Sequence, residues 1–140
     1  HKRLPAGTIL PPHPGEMARL TGRSIGEIQS SRMRTAVKWA QTWRQVVVLK
    51  GAFTVIAAPD RPPVMLPFAN PGLSSAGTGD VLAGTIVSLR AQGLEAFEAA
   101  AAGAYLHGLA GEIASDELGT AGVIAGDVAD RLAEAWRRLA

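Results

Sequence analysis

The segment Asn70-Pro-Gly-Leu-Ser-Ser-Ala-Gly-Thr-Gly-Asp-Val-Leu-Ala-Gly84 constrains the fold more than any other part of the chain. Glycines and small polar residues run straight into an apolar helical pattern, which predicts a loop feeding the start of a helix. Gly77 and Gly79 let the backbone approach a ligand closely. The free amides around Gly77, Thr78 and Gly79, at the positive end of the helix dipole, then form an anion hole suited to phosphate. Asp80 is the odd charge. A carboxylate beside a phosphate site repels its ligand unless it takes a proton from a hydroxyl or holds a metal, so Asp80 is the first catalytic candidate. The competing reading makes Asp80 the cap of a helix that begins at Val81.

Two common phosphate motifs are excluded. No Gly-Lys-Ser/Thr follows the loop, and Gly77-Thr-Gly-Asp-Val-Leu82 lacks the third glycine of a dinucleotide fingerprint. The segment instead resembles the Gly-x-Gly-Asp stretch of ribokinase-like kinases, in which the glycines form an anion hole and the Asp is the base.

Upstream, Thr8-Ile-Leu10 reads as a short strand, and Pro11, Pro12 and Pro14 hold His13 in an extended turn before a helix opening at Glu16. Ser24-Ile-Gly-Glu27 has capping-box spacing and predicts a surface helix to about Trp43. Gln45 to Leu49 is a β-branched run consistent with a strand buried on both faces, ending at Lys50-Gly51. Phe53 to Ala58 and Val64 to Ala69 read as further strands around a Pro59–Pro63 turn, in a hairpin or meander. Helices are expected over about 80–92, 95–115 and 127–139. Strands feeding helices predict an α/β fold, a central and mostly parallel sheet flanked by helices, with ligands at the carboxyl ends of the strands.

At 140 residues with 47% hydrophobic and 19% charged content, the chain suits one domain. Its net charge is +2, and its basic residues are scattered among acids except at His1-Lys-Arg3 and Arg137-Arg138, so no nucleic-acid partner is expected. With no cysteine, thiol chemistry and disulfides are excluded, in agreement with a cytoplasmic protein. No apolar run reaches the ~20 residues of a membrane span, and no membrane partner is expected. The chain opens on His1 rather than Met, as a processed or partial chain does.

Lys50, at the end of an apolar strand and before Gly51-Ala-Phe-Thr54, is either a solvated strand-end cation or, with the loop amides, a holder of nucleotide phosphate or ribose. His13 is either a loop histidine or a ligand contact. His107, inside a helical pattern, reads as a packed core histidine, Asp127, Asp130, Arg131, Arg137 and Arg138 as structural charges, and Trp39, Trp43 and Trp136 as core or interface anchors. No His or Cys cluster completes a metal set, and no metal ligand is assigned.

Three segments, Pro11-Pro-His-Pro-Gly-Glu-Met-Ala-Arg-Leu20, Val46-Val-Val-Leu-Lys-Gly-Ala-Phe-Thr54 and Asn70 through Gly84, together resemble the ADP/ATP-dependent NAD(P)H-hydrate dehydratase family, a branch of the ribokinase-like fold. The likeness continues through Gly103-Ala-Tyr-Leu-His-Gly-Leu-Ala110 and Ala125-Gly-Asp-Val128. Pro-His-Pro-Gly-Glu is its specific part, because sugar and vitamin kinases of the fold share Gly-x-Gly-Asp without it. Pro11 in place of Thr, Ser74-Ser-Ala76 in place of Ala-Thr-Gly, and Arg61 where Gly is common depart from the family pattern.

The resemblance implies that His13 and Asp80 contact hydrated NADH or NADPH, with Asp80 as the base. It implies that Lys50, Gly51, Ala52, Phe53, Thr54 and Gly79 hold ATP or ADP with Mg²⁺. Residues 1–140 would be the carboxyl-terminal portion of one larger domain, partnered by a complementing amino-terminal half or a second copy. The implied reaction makes the hydrate's hydroxyl a leaving group by phosphorylation and expels phosphate. A vitamin-precursor kinase of the same fold, or a non-catalytic nucleotide-binding fragment, is the alternative.

Overall fold

Val46, Val47, Val48 and Leu49 are all buried, and they form the strand around which the molecule is layered. The computed structural model describes residues 4–139, so the basic His1–Arg3 stretch lies outside the described residues. Strands β1 (Ile9–Leu10), β2 (Val46–Leu49), β3 (Val55–Ala58) and β4 (Arg61–Met65) make one sheet in chain order. β1 is parallel to β2, with Ile9 opposite Val46, whereas β2 with β3 and β3 with β4 are antiparallel. The α/β class holds, but over the described strands the sheet is mixed rather than mostly parallel. The links from β2 to β3 and from β3 to β4 are too short for a crossover, so the meander read in this region sets the direction.

Alternation along the strands divides the core. Val47, Leu49, Val55 and Ala57 face α1 (Pro14–Thr21), α2 (Ile25–Ser30) and α3 (Arg32–Trp43), packing with Met17, Ile28, Ala36, Ala40 and Trp43. Val46, Val48, Ile56 and Ala58 face the opposite layer, where α4 (Thr78–Ala91), α5 (Ala96–Leu118), α6 (Ala125–Asp130) and α7 (Leu132–Arg137) contribute Leu82, Ile86, Ala104, Ile113 and Val128. A run apolar at every position is what two covered faces require.

Several boundaries differ from expectation for identifiable reasons. The helix after Ser24 does start with its capping box, Ser24 and Glu27 exchanging hydrogen bonds. It breaks at Ser31, whose φ of −144° is not helical, so the expected single helix is α2 and α3. The last helix likewise divides at Arg131. β4 begins at Arg61 and contains Pro62 and Pro63, which were expected to lie in a turn; as an edge strand it tolerates residues without an amide hydrogen. Arg61 in turn pairs with Glu98 on α5. Of the charges read as structural at the carboxyl end, Asp127 accepts from the Ile124 amide, Arg131 pairs with Glu117, and Arg137 and Arg138 pair with Glu134. Trp43 is buried and stacks on Trp39 with centroids 5.0 Å apart, whereas Trp136 is exposed.

The helix α5 lies close to its neighbours because glycine faces each contact. A methyl group at Gly103 would stand 2.7 Å from Ile86, one at Gly108 2.2 Å from the Phe68 ring and one at Gly111 2.6 Å from Leu73. Among the described residues no helix is long and apolar enough to cross a membrane.

Candidate active site

The loops after β2 and β4, the first turns of α1 and α4, and the middle of α5 enclose a cavity of about 740 Å³. His13, Lys50, Gly51, Ala52, Thr54, Gly77, Thr78, Gly79 and Asp80 all line it. Residues read from three separate segments thus converge on one space. Phe53 does not line it: the residue is 49% exposed, while its amide donates to the Phe68 carbonyl at 2.7 Å.

The helix α4 begins at Gly77, whose φ of +87° is the left-handed conformation that glycine adopts without strain. No side chain caps this turn. The Asp80 and Val81 amides both donate to the Gly77 carbonyl, whereas the amides of Gly77 and Gly79 make no hydrogen bond among the described residues. Asp80 sits in the first turn, exposed at the cavity, and does not cap the helix. The capping alternative for Asp80 is therefore overturned, and its carboxylate is exposed at the cavity.

Thr78 anchors the turn from below. Its hydroxyl donates to the carbonyls of Leu73 and Ser75, and its own carbonyl meets His107 Nε2 at 2.8 Å. His107 is only 8% exposed, so it is the packed core histidine expected, yet it also supports the anion-binding turn from α5. Burial pushes its pKa below the ordinary value, the Thr78 carbonyl opposes this, and nearby Lys50 adds to the lowering. The ring is held neutral, with its proton on Nε2 toward the carbonyl.

Lys50 reaches the same turn from the sheet. Its Nζ lies 3.3 Å from where a methyl group on Gly79 would stand, so the ammonium sits close against the first turn of α4. Among the described residues that line the cavity, Lys50 is the one permanent cation. The Lys50 amide donates to the Pro12 carbonyl at 2.9 Å, joining the loop after β2 to the proline segment. Gly51 has φ +132°, and Thr54 Oγ1 closes the turn on the Gly51 carbonyl.

The proline segment folds differently from expectation. The helix opens at Pro14, not Glu16, and His13 is its N-cap: Nδ1 accepts from the amides of Gly15 and Glu16 at 3.0 and 3.2 Å. Pro14 occupies the first helical position, where its missing amide hydrogen has no cost. At Gly15 a methyl group would stand 2.9 Å from the imidazole, so glycine makes room for the ring. Glu16 completes a capping box by accepting from the His13 amide at 2.6 Å. Histidine is not among the usual capping residues, which hid this from the sequence.

Three further residues escaped the sequence reading. Arg32, at the start of α3, donates from Nη2 to the carbonyls of Leu49 and Lys50 at 2.9 and 3.2 Å, fixing the strand end beneath the loop. Burial lowers its pKa, but a guanidinium remains charged. No sequence signal marks a contact between residues so far apart in the chain. Asn70 accepts from the Gly72 amide and exchanges hydrogen bonds with Ser115, pinning the loop's entry to α5. Asparagine just before Pro-Gly was the available signal. Glu16 also approaches Lys50, with its Oε2 3.6 Å from Nζ.

The chain was compared with known proteins. The family model described as NAD(P)H-hydrate dehydratase matches residues 2–134. The bifunctional NAD(P)H-hydrate repair enzyme Nnr of Moorella thermoacetica is 50% identical over 131 residues, which are 94% of this chain and 25% of that protein. The ADP-dependent (S)-NAD(P)H-hydrate dehydratase of Neisseria meningitidis serogroup B is 44% identical over 131 residues, 93% of this chain and 44% of that protein. The crystal structure of the ADP/ATP-dependent NAD(P)H-hydrate dehydratase of Bacillus subtilis, co-crystallised with ATP/Mg²⁺, superposes with a TM-score of 0.93 at 37% identity, covering 99% of this chain and 52% of that one. A ribokinase-like superfamily protein of Enterococcus faecalis, at 27% identity and a TM-score of 0.74, has the same fold over 94% of this chain and 44% of its own. The chain spans between a quarter and under half of the length of these curated relatives.

Proposed function

The chain belongs to the NAD(P)H-hydrate dehydratase family, and from that premise we propose that it supplies the carboxyl-terminal portion of an active site for nucleotide-dependent dehydration of hydrated NADH or NADPH. The observation that carries this reading is the first turn of α4, where an uncapped carboxylate, open amides and a lysine ammonium share one cavity. A carboxylate repels phosphate unless it takes a proton from a hydroxyl or shares a metal ion with the phosphates, and Asp80 is open to both uses.

In this reading His13 and Asp80 face the hydrated nicotinamide, and Lys50, Gly51, Ala52 and Thr54 with Gly79 hold the adenine nucleotide, without Phe53. Asp80 accepts the proton of the ring hydroxyl as the hydroxyl oxygen attacks the terminal phosphorus of the nucleotide, and the bridging phosphorus–oxygen bond breaks with its electron pair leaving on the nucleotide shortened by one phosphate. The amides of Gly77 and Gly79 and the Lys50 ammonium take up charge on the transferring phosphoryl group. The carbon–oxygen bond then breaks with its electron pair leaving on phosphate, and loss of a proton from the neighbouring carbon restores the ring double bond.

Among the described residues no group of three His, Cys, Asp or Glu could enclose a metal ion. One carboxylate beside a phosphate cradle nevertheless fits Mg²⁺, which keeps several waters and is commonly held by phosphate oxygens with one or two carboxylates. Asp80 is the carboxylate that would share it, and the ion would neutralise phosphate charge.

A complementing amino-terminal half, or a second copy, completes the site. The share of the Bacillus subtilis chain left uncovered and the position of β1 at an edge of the described sheet support this. The reaction is placed in the cytoplasm with the reduced nicotinamide pool. The test is to add hydrated NADH, Mg²⁺ and ATP or ADP to the chain, with and without the complementing half, and follow the near-ultraviolet absorbance of NADH. Nucleotide-dependent recovery is the expected result. Accumulation of a stable phosphoester would assign a kinase instead, and nucleotide binding without turnover in either mixture would leave a binding module.

A further inference from the structure

The Glu16 carboxylate stands between two parts of the cavity that otherwise meet only through backbone. Its Oε2 accepts from the His13 amide at 2.6 Å and lies 3.6 Å from Lys50 Nζ. Its Oε1 is 3.5 Å from His13 Nε2. Burial raises its pKa, but the His13 amide, the Lys50 ammonium and His13 together outweigh this and hold the group below the usual carboxylate range. A capping box needs only an acceptor, and glutamine serves there as well as glutamate. The hydrogen bond of the cap thus does not require the negative charge, which the helix dipole favours and which also meets the one permanent cation among the described residues of the cavity lining.

Lys50 needs such a restraint. Four rotatable bonds separate its ammonium from the backbone, and its side chain is 24% exposed, so a cation without a partner would spread over many rotamers. Paired with Glu16, the ammonium lies beside Gly79 in the first turn of α4. We infer that Glu16 is a positioning residue that presents Lys50 to the phosphate groups of the nucleotide. This inference rests on the nucleotide reading given above.

The sign of the effect separates positioning from simple charge. Removing a carboxylate near a phosphate site relieves repulsion and, taken alone, tightens nucleotide binding. Loss of the restraint weakens it. The test is Glu16→Gln in the full chain, which keeps an acceptor for the His13 amide and deletes the charge. Two measurements are made: acylation of lysines followed by peptide mass spectrometry, and titration with ATP and ADP.

Labelling of Lys50 should rise several-fold in the variant while Lys38, far from Glu16 in sequence and lining none of the cavity, serves as the internal reference. The nucleotide dissociation constant should rise roughly three- to fivefold, the upper range for a partly exposed ion pair. In a Lys50→Met background the same substitution should have no effect on affinity. Unchanged or tighter nucleotide binding by Glu16→Gln, or unchanged Lys50 labelling, overturns the inference and leaves the nucleotide reading intact. A wild-type chain that binds neither nucleotide overturns that reading and this inference with it.

Discussion

Two helices begin at the same cavity and treat their first turns in opposite ways. The helix α1 satisfies its leading amides with its own side chains, His13 Nδ1 accepting from Gly15 and Glu16 while Glu16 accepts from His13. The helix α4 has a glycine where a cap would stand, and among the described residues the Gly77 and Gly79 amides have no acceptor. The first turn is stabilised from within. The second is held by the preceding loop, whose Leu73 and Ser75 carbonyls accept from the Thr78 hydroxyl, and by His107 of α5, and it leaves the Gly77 and Gly79 donors open. An orphan helix start is a cost in a structure and an asset in a site, and the neighbouring Lys50 and Asp80 decide which it is here.

The sharpest way to break this comparison is Asp80→Asn. If α4's first turn serves a proton transfer, turnover in the complete enzyme falls by about 10²–10⁴-fold, the range for removing a general base. The nucleotide should still bind, because Asp80 caps nothing, its amide hydrogen bond to Gly77 is kept, and the repulsion relieved offsets the lost share in Mg²⁺. Activity within a few-fold of wild type would remove Asp80 from the chemistry.

Gly77→Ala tests whether the open turn depends on its left-handed residue. At φ +87° an alanine costs about 1–2 kcal/mol, and its methyl group would also stand 3.1 Å from the Ala125 side chain. Thermal denaturation should show the loss, and ATP titration a matching fall in affinity. A stable variant with normal ATP binding would show that the turn tolerates another conformation and is not the anion hole.

At α1 the effect should be smaller and divisible. His13→Ala removes the cap and should lower stability by about 1 kcal/mol, whereas His13→Asn restores a capping acceptor and should recover most of it. Substrate affinity, read as KM for hydrated NADH, should remain impaired in both if the imidazole meets the nicotinamide. Recovery of KM in His13→Asn would reduce His13 to a cap and leave α1 a purely structural start.

This contrast also explains what the sequence disclosed. The α4 start was legible because Gly77, Gly79 and Asp80 lie side by side, and local composition encodes a local turn. The central strand was legible because Val46 to Leu49 must be apolar at every position to be covered twice. The role of His13 was not, since prolines on both sides argued against a helix and only the coordinates show Pro14 at its first position. Arg32 was not, because its partners are carbonyls 17 and 18 residues away. Nor was the hold of Glu16 on Lys50. Contacts made by chain reversal leave no period or spacing behind, and they are what turned three legible segments into one cavity.

The smallest expected effect concerns how α4's turn is held from outside. Burial lowers the pKa of His107 below its ordinary 6.5, so the folded protein resists a proton that the unfolded chain accepts. Its contribution to stability is fully present above pH 6.5 and is lost as pH falls from there toward the folded value. Glu16, lowered from 4.5, acts in a separate and more acidic window, losing its contribution as pH falls through its folded pKa. Between pH 7 and 5 the melting temperature of the wild type should therefore decline more steeply than that of His107→Gln, whose amide can still donate to the Thr78 carbonyl without titrating. Parallel curves would mean that the ring takes up its proton freely in the folded state. The support of α4 by α5 would then lie in packing, as of Gly103 against Ile86, rather than in the hydrogen bond to Thr78.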